Sequence, residues 1–235
     1  MTFNEFNLKE LLQKAIDEAG FKEPSPIQEQ AIPFVLDGRD IVGQAHTGTG
    51  KTAAFGLPIL NKMKGNNGVE AVVIVPTREL AMQVSDELYR FGRFLGINTA
   101  TVYGGQAYAR QIKLIENAGI IVATPGRFLD LLRGGKIDIK PEYVILDEAD
   151  EMLDMGFLDD IKEIFTFLPE ERQTLLFSAT MPVAIKNLAK TILKDPEFIT
   201  LTKKDVTNSK ITQTFYVVDE RERDDALIRL YDYKN

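Results

Sequence analysis

Residues 40–55 read Asp40-Ile41-Val42-Gly43-Gln44-Ala45-His46-Thr47-Gly48-Thr49-Gly50-Lys51-Thr52-Ala53-Ala54-Phe55, and the order of residue types in this stretch decides the fold. A short apolar run of strand length passes through small, turn-forming residues into a helix-compatible Ala-Ala-Phe. Strand, glycine-rich turn and helix in immediate succession open an α/β unit. The small residues let consecutive backbone N–H groups turn toward one point, and the helix N-terminus adds partial positive charge there. Lys51 is placed to reach terminal phosphates and Thr52 to hold magnesium, so a triphosphate fits this loop. Ala45 stands where the general phosphate-loop pattern has its first glycine.

Outward from this unit, further apolar runs alternate with longer amphipathic stretches: residues 71–75, 99–103, 120–123, 143–146 and 174–177. Near-continuous Val/Ile/Leu strands separated by helix-length segments imply a parallel sheet covered by helices on both faces. In such sheets ligands sit beyond the carboxyl ends of the strands. Upstream, Leu8, Leu11, Leu12, Ala15, Ile16 and Ala19 share one helical face, with Asn7 as candidate N-cap and Gly20 just past the end. A second helix is expected from Ser25-Pro26 to near Gly38.

The run at 143–146 leads straight into Asp147-Glu148-Ala149-Asp150. An aspartate at such a strand end is well placed to hold magnesium, and a glutamate beside it to orient and deprotonate a water attacking a γ-phosphate. Taken alone, acidic residues also favour the first turn of any helix. The phosphate loop upstream in the same alternating pattern shifts the balance toward chemistry.

Composition narrows the chemistry further. The 235 residues are 44% hydrophobic and include no cysteine and a single histidine, His46. Disulfides, cysteine catalysis, thiolate metal sites and any site needing two histidines are excluded, which leaves oxygen ligands and hence magnesium. No apolar run approaches the ~20 residues that cross a bilayer, and residues 1–5 lack the features of a signal peptide, so a soluble, cytoplasmic protein is expected. A net charge of −7 argues against broad capture of nucleic acid by a basic surface; any RNA binding must be local.

These residues closely resemble the DEAD-box RNA helicases of superfamily 2. Asp147-Glu148-Ala149-Asp150 spells the family's signature, and residues 45–52 resemble its phosphate loop, in which alanine is usual at the first position. Gly20-Phe21-Lys22-Glu23-Pro24-Ser25-Pro26-Ile27-Gln28, with Phe3 upstream, looks like its adenine-reading segment. Pro76-Thr77-Arg78-Glu79-Leu80-Ala81, Gly104-Gly105 and Thr124-Pro125-Gly126-Arg127 resemble its RNA-contacting motifs, and Ser178-Ala179-Thr180 its coupling motif. Together they cover nearly all of residues 3–200.

The resemblance implies an amino-terminal RecA-like domain: an α/β fold whose parallel sheet is flanked by helices on both faces. It implies ATP or ADP with Mg2+ as cofactors. Gln28 would pair with the adenine edge while Phe21, with Phe3, packs near the base; an amide has the donor and acceptor this needs. Ala45, Thr47, Gly48, Thr49, Gly50, Lys51 and Thr52 would cradle phosphates, Thr52 and Asp147 would hold magnesium, and Glu148 would position the attacking water. Asp150 would bond to Ser178 or Thr180 and pass nucleotide state toward RNA. Pro76, Thr77, Arg78, Gly105, Thr124, Gly126 and Arg127 would meet the RNA backbone, giving salt-sensitive, sequence-tolerant binding. His46 departs from the residue more common in the family, with little effect expected in a loop that works through its backbone.

The expected organisation is one ATP-binding domain at 1–202, with 1–28 as its adenine-reading segment, a polar linker at 203–210, and an incomplete second RecA-like domain at 211–235. That last part holds one orphan alternating strand at 211–218 and one helix at about 220–233, too little to bury a core. The chain is expected to lack the second domain's arginines, and so to bind nucleotide and, weakly, RNA without efficient turnover or unwinding. A monomer is expected, with a dimer through the orphan strand as the alternative. An enzyme, a nucleotide-gated binding platform and a DNA translocase all share this core; Glu148 favours the first for the parent protein, the missing half favours the second for this chain, and Gln28 with its preceding segment and the alanine inside the acidic motif favour RNA over DNA.

Overall fold

In the computed structural model, which describes residues 1–65, 68–201 and 216–234, all six apolar runs form parallel strands. They are β1 (Ile41–Gln44), β2 (Ala71–Ile74), β3 (Thr99–Val102), β4 (Ile120–Ala123), β5 (Tyr143–Leu146) and β6 (Gln173–Ser178). A seventh, β7 (Glu197–Thr200), was not foreseen. It is an edge strand in which only Ile199 is buried, and its pairing with β1 defines it. The order is β3-β4-β2-β5-β6-β1-β7. β1 lies beside β6, with Ile41 opposite Leu175, and β6 beside β5. The phosphate-loop strand and the acidic strand therefore flank the strand that ends in Ser178.

Helices cover both faces. On one lie α1 (Glu10–Glu18), α2 (Pro26–Leu36), α3 (Lys51–Lys62) and α4 (Arg78–Gly92), around buried Phe55, Phe91 and Phe177. On the other lie α5 (Tyr108–Ile115), α6 (Pro125–Arg133), α7 (Ala149–Asp154), α8 (Leu158–Phe167) and α9 (Val183–Ile192), around Phe128, Leu131 and Met152. Each fully buried side chain of this size stabilises the fold by about 2 kcal/mol. Buried Asp40 ties the sheet at the other end, its carboxylate accepting from the N–H groups of Thr174 at 2.8 Å and Lys194 at 2.7 Å.

The helix starts follow their caps. Ser25 caps α2, Pro26 fills the first position where no N–H is needed, and Gln28 closes a capping box. Asn7 is not the cap of α1. Phe3–Phe6 forms its own 3-10 turn, which Asn7 ends in the left-handed region at φ 53°, and α1 begins after Lys9. The expected helix near the end of the chain is present, as a 3-10 turn at Glu220–Glu222 running into a helix at Arg223–Lys234. The expected linker at 203–210, and the strand at 211–218 apart from residues 216–218, lie outside the described residues. Residues 216–218 carry no strand. Among the described residues no helix is long and apolar enough to cross a membrane.

Candidate functional site

The loop at 45–52 leaves β1 at the carboxyl edge of the sheet and enters α3 through Gly50, which adopts φ 90°. A Cβ on Gly50 would lie 2.4 Å from Nε2 of Gln28, so only glycine fits both the angle and the space. Ala45 N–H donates to Ser178 O at 3.0 Å, and the Thr49 hydroxyl donates to His46 O at 2.8 Å. The loop is thus tied to the end of β6 at its start and folded back on itself in the middle.

Lys51 turns into this loop and is buried. Its ammonium lies 2.7 Å from Oε1 of Glu148, 3.3 Å from Oδ1 of Asp147, and donates to Ala45 O at 3.3 Å. The Thr47 hydroxyl donates to the same Glu148 oxygen at 2.8 Å. Asp147 and Glu148 are 3% and 5% exposed. Glu148 holds a left-handed backbone at φ 55°, a conformation that costs a non-glycine residue about 1 kcal/mol or more. Burial pushes the Asp147 carboxyl up to about 6; Lys51 pulls it down and Glu148 pushes it up again.

Among the described residues no group of three His, Cys, Asp or Glu side chains could enclose a metal. Thr52 follows Lys51 in the chain and Asp147 lies 3.3 Å from the Lys51 ammonium, so both bring hard oxygen donors to the surroundings of that lysine. Such a pair suits magnesium, which takes its remaining ligands from water and phosphate. Thr52 has a further partner that sequence reading missed. Glu87 of α4 has its carboxyl pushed up by burial and drawn back by a hydrogen bond from Thr52 and by Arg90. An acid mid-helix in an amphipathic pattern gives no sequence signal for this.

Gln28 is buried, and its amide joins two segments: Oε1 accepts from Ser25 N–H at 2.9 Å, and Nε2 donates to Gly50 O at 3.0 Å. The Ser25 hydroxyl donates to Thr49 O at 2.7 Å. One N–H and one lone pair of the Gln28 amide lie outside these two bonds. Phe21 is 36% exposed and sits in a cleft of about 690 Å³ between α1 and α4. Phe3 differs from expectation. It is 2% exposed and stacks behind Phe21, ring centroids 6.2 Å apart, so it supports that ring rather than offering a face of its own.

Asp150, in the first turn of α7, accepts from the Thr180 hydroxyl at 2.8 Å, Thr180 N–H at 2.8 Å and Ala179 N–H at 3.3 Å. Its own N–H donates to Ser178 Oγ at 3.1 Å. Burial pushes its carboxyl up, but the bonds from Thr180, Ser178 and Ala179 outweigh burial and hold it below its ordinary value.

A second cleft, about 460 Å³, is lined by Pro76, Thr77, Arg78, Gly126 and Arg127, with Gly104 and Thr124 also at its wall. Gly105 adjoins it at φ 91°, and a Cβ there would meet Nη1 of Arg78 at 3.1 Å. Thr77 caps α4, its hydroxyl accepting from Leu80 N–H at 3.2 Å. Arg127 is more tied down than sequence suggested: Nη1 donates to Gln106 O at 2.7 Å and to Gln111 Oε1 at 2.9 Å. The fold thus gathers the candidate residues into two neighbouring clusters along one edge of the sheet.

The family model for DEAD/DEAH box helicases matches residues 25–188. The chain is 56% identical over 233 residues to the DEAD-box ATP-dependent RNA helicase RhpA of Helicobacter pylori, covering 98% of this chain and 47% of the relative. It is 48% identical over 238 residues to the DEAD-box ATP-dependent RNA helicase CshA of Bacillus subtilis, covering 100% of this chain and 48% of the relative. The chain therefore spans about half the length of the curated relatives it matches. Among solved structures, a DEAD box protein from the hyperthermophile Methanococcus jannaschii superposes with a TM-score of 0.84 at 45% identity, over 98% of this chain and 63% of that one.

Proposed function

Because this chain, a RecA-like α/β domain, belongs to the DEAD/DEAH box helicase family, we propose that it is the ATP- and RNA-binding half of an ATP-dependent RNA helicase that separates short duplexes or remodels RNA–protein complexes. The observation that carries the assignment is the meeting of Lys51 with Glu148 and Asp147 at 2.7 and 3.3 Å. A phosphate loop and an acidic strand end in contact are the two halves of a phosphoryl-transfer site.

In this mechanism Gln28 would pair with the adenine edge and Phe21 would pack against the base, while the backbone N–H groups of residues 47–52 would donate to the phosphates. Lys51 exchanges its bond to Glu148 for one to a terminal phosphate oxygen. That exchange frees Glu148 to accept from the attacking water and to take its proton. Thr52 and Asp147 would hold magnesium, which would supply positive charge to the phosphate oxygens. Asp150 senses the neighbouring acid pair and transmits its state through Thr180. Arg78, Thr77, Thr124, Arg127 and the backbone at Gly105 and Gly126 grip the RNA sugar-phosphate chain, reading little sequence.

The chain alone turns ATP over slowly in this scheme. Among the described residues Lys51 is the one cation paired with Asp147 and Glu148, whereas phosphoryl transfer gains orders of magnitude from an arginine brought by another domain. We assign residues 1–202 to the ATP-binding domain, 203–210 to a linker and 211–235 to the opening of a second domain. Supporting this, the helix Arg223–Lys234 leaves Leu227 67% and Ile228 60% exposed, an apolar surface that a further domain would cover.

Titration with a fluorescent ADP in magnesium tests the assignment. Lys51→Ala weakens binding by about 2 kcal/mol or more, roughly thirty-fold. Unchanged affinity in that variant removes the phosphate-loop assignment.

A further inference from the structure

We propose that Tyr108 is a positioning residue for the RNA backbone: it holds the Arg127 guanidinium in place before RNA arrives. The inference rests on the RNA-binding role given to Arg127 above. None of the motifs that suggested that role includes Tyr108, which stands at the first position of α5.

Arg127 is fixed along one edge. Both hydrogens of Nη1 are committed, one to Gln106 O at 2.7 Å and one to Gln111 Oε1 at 2.9 Å. Gln111 is fully buried, and its Nε2 donates to Tyr103 O at 2.8 Å, so its amide is oriented with the oxygen toward Arg127. The Nε hydrogen and the two on Nη2 lie outside these bonds. They form the forked edge with which a guanidinium takes a phosphate in two parallel bonds. Arg127 lines the same cleft as Arg78, Thr124 and Gly126.

Tyr108 fixes the face. The guanidinium carbon stands 4.3 Å from the ring centroid, well inside the range of cation–π attraction. The Tyr108 hydroxyl donates to Asp130 Oδ2 at 3.3 Å. Asp130 lies three residues beyond Arg127 on α6, on the same helical face, so the ring is anchored to the helix that carries the arginine. Lys136 brings a second cation to the ring, its Nζ 3.4 Å from the centroid. An arginine held by one edge and one face has little rotamer freedom left to lose when phosphate binds, and so binds it more tightly. The bond to Gln106 O also joins the Gly104-Gly105 loop to the Thr124–Gly126 turn, which makes one platform of two segments.

The test is anisotropy of a fluorescein-labelled oligouridylate with this chain across a series of KCl concentrations, with fluorescent ADP titrated in parallel. Tyr108→Leu weakens RNA binding about fivefold to tenfold and lowers the salt slope toward that of Arg127→Ala, about 0.7 per lost phosphate contact on a single strand. ADP affinity stays unchanged. Tyr108→Phe, which keeps the ring face, stays within about twofold of the parent, as expected when ring contact dominates over one exposed hydroxyl. In an Arg127→Ala background Tyr108→Leu adds nothing, because it acts through the arginine. Tyr108→Gln, of similar reach and without a π face, gives the same comparison if the leucine variant does not fold. Equal losses in both backgrounds, or a loss with Arg127→Ala and none with Tyr108→Leu, overturn the proposal. Failure of the RNA assignment itself looks different: neither Arg78→Ala nor Arg127→Ala then changes oligouridylate binding.

Discussion

The Lys51 ammonium sits 2.7 Å from Glu148 and 3.3 Å from Asp147 with all three side chains nearly excluded from water. One cation therefore faces two carboxylates in a region where burial penalises charge. The site relieves this by raising Asp147 to about 6. A phosphate oxygen and a metal ion brought together would satisfy the same groups without that penalty, since each new charge meets its opposite.

The Asp147 carboxyl ionises near its ordinary value of 3.8 in the unfolded chain and near 6 in the fold. Its contribution to stability is fully present below about pH 4 and is lost as pH rises toward 6, by about 3 kcal/mol at most. Urea unfolding from pH 4 to 8 shows the parent losing stability relative to Asp147→Asn over that window. The magnesium-dependent part of nucleotide affinity runs the other way, falling as pH drops through about 6, and Asp147→Asn has no such step.

Asp150→Ala removes the acceptor for Thr180 Oγ1, Thr180 N–H and Ala179 N–H. Hydrogen bonds to a charged group predict a loss of about 2 kcal/mol at neutral pH. Because the folded carboxyl titrates below its ordinary 3.8, this contribution exists above about pH 4 and fades as pH falls through the folded value. Amide hydrogen exchange reads the effect locally: Ala179 and Thr180 lose protection in the variant, while the core strands keep theirs.

Gly105→Ala forces a side chain into a positive-φ position 3.1 Å from the Arg78 guanidinium. The backbone strain costs about 1 to 2 kcal/mol. More tellingly, Arg78 must shift, so oligouridylate affinity drops several-fold while ADP affinity holds. Equal loss of both ligands would mean that the loop supports the whole edge of the sheet rather than the cleft beside Arg78.

Much of this was legible in the sequence because its signals are local. Continuous apolar runs located β1 to β6, and the glycine-rich turn at 45–52 located the loop between β1 and α3 without reference to the rest of the fold. What stayed hidden is long-range. β7 is a short edge strand with exposed Phe198 and Thr200, and only its pairing with β1 distinguishes it from a loop. A helical face beginning at Leu8 makes Asn7 look like a cap, whereas packing of Phe3 and Phe6 gives the preceding residues a turn of their own. The ties of Gln28 to Gly50, of Glu87 to Thr52 and of Arg127 to Gln106 and Gln111 join segments distant in sequence. No spacing rule announces them.

The most direct measurement is single-turnover ATP hydrolysis with this chain in excess over ATP and with magnesium present, comparing the parent with Glu148→Gln, each with and without single-stranded RNA. Slow phosphate release by the parent, unchanged by RNA and reduced about a hundredfold in Glu148→Gln at equal nucleotide affinity, is the expected result. Equal rates in the two proteins would contradict Glu148 as the residue that activates water. Strong RNA stimulation of the parent would contradict the assignment of a catalytic arginine to another domain.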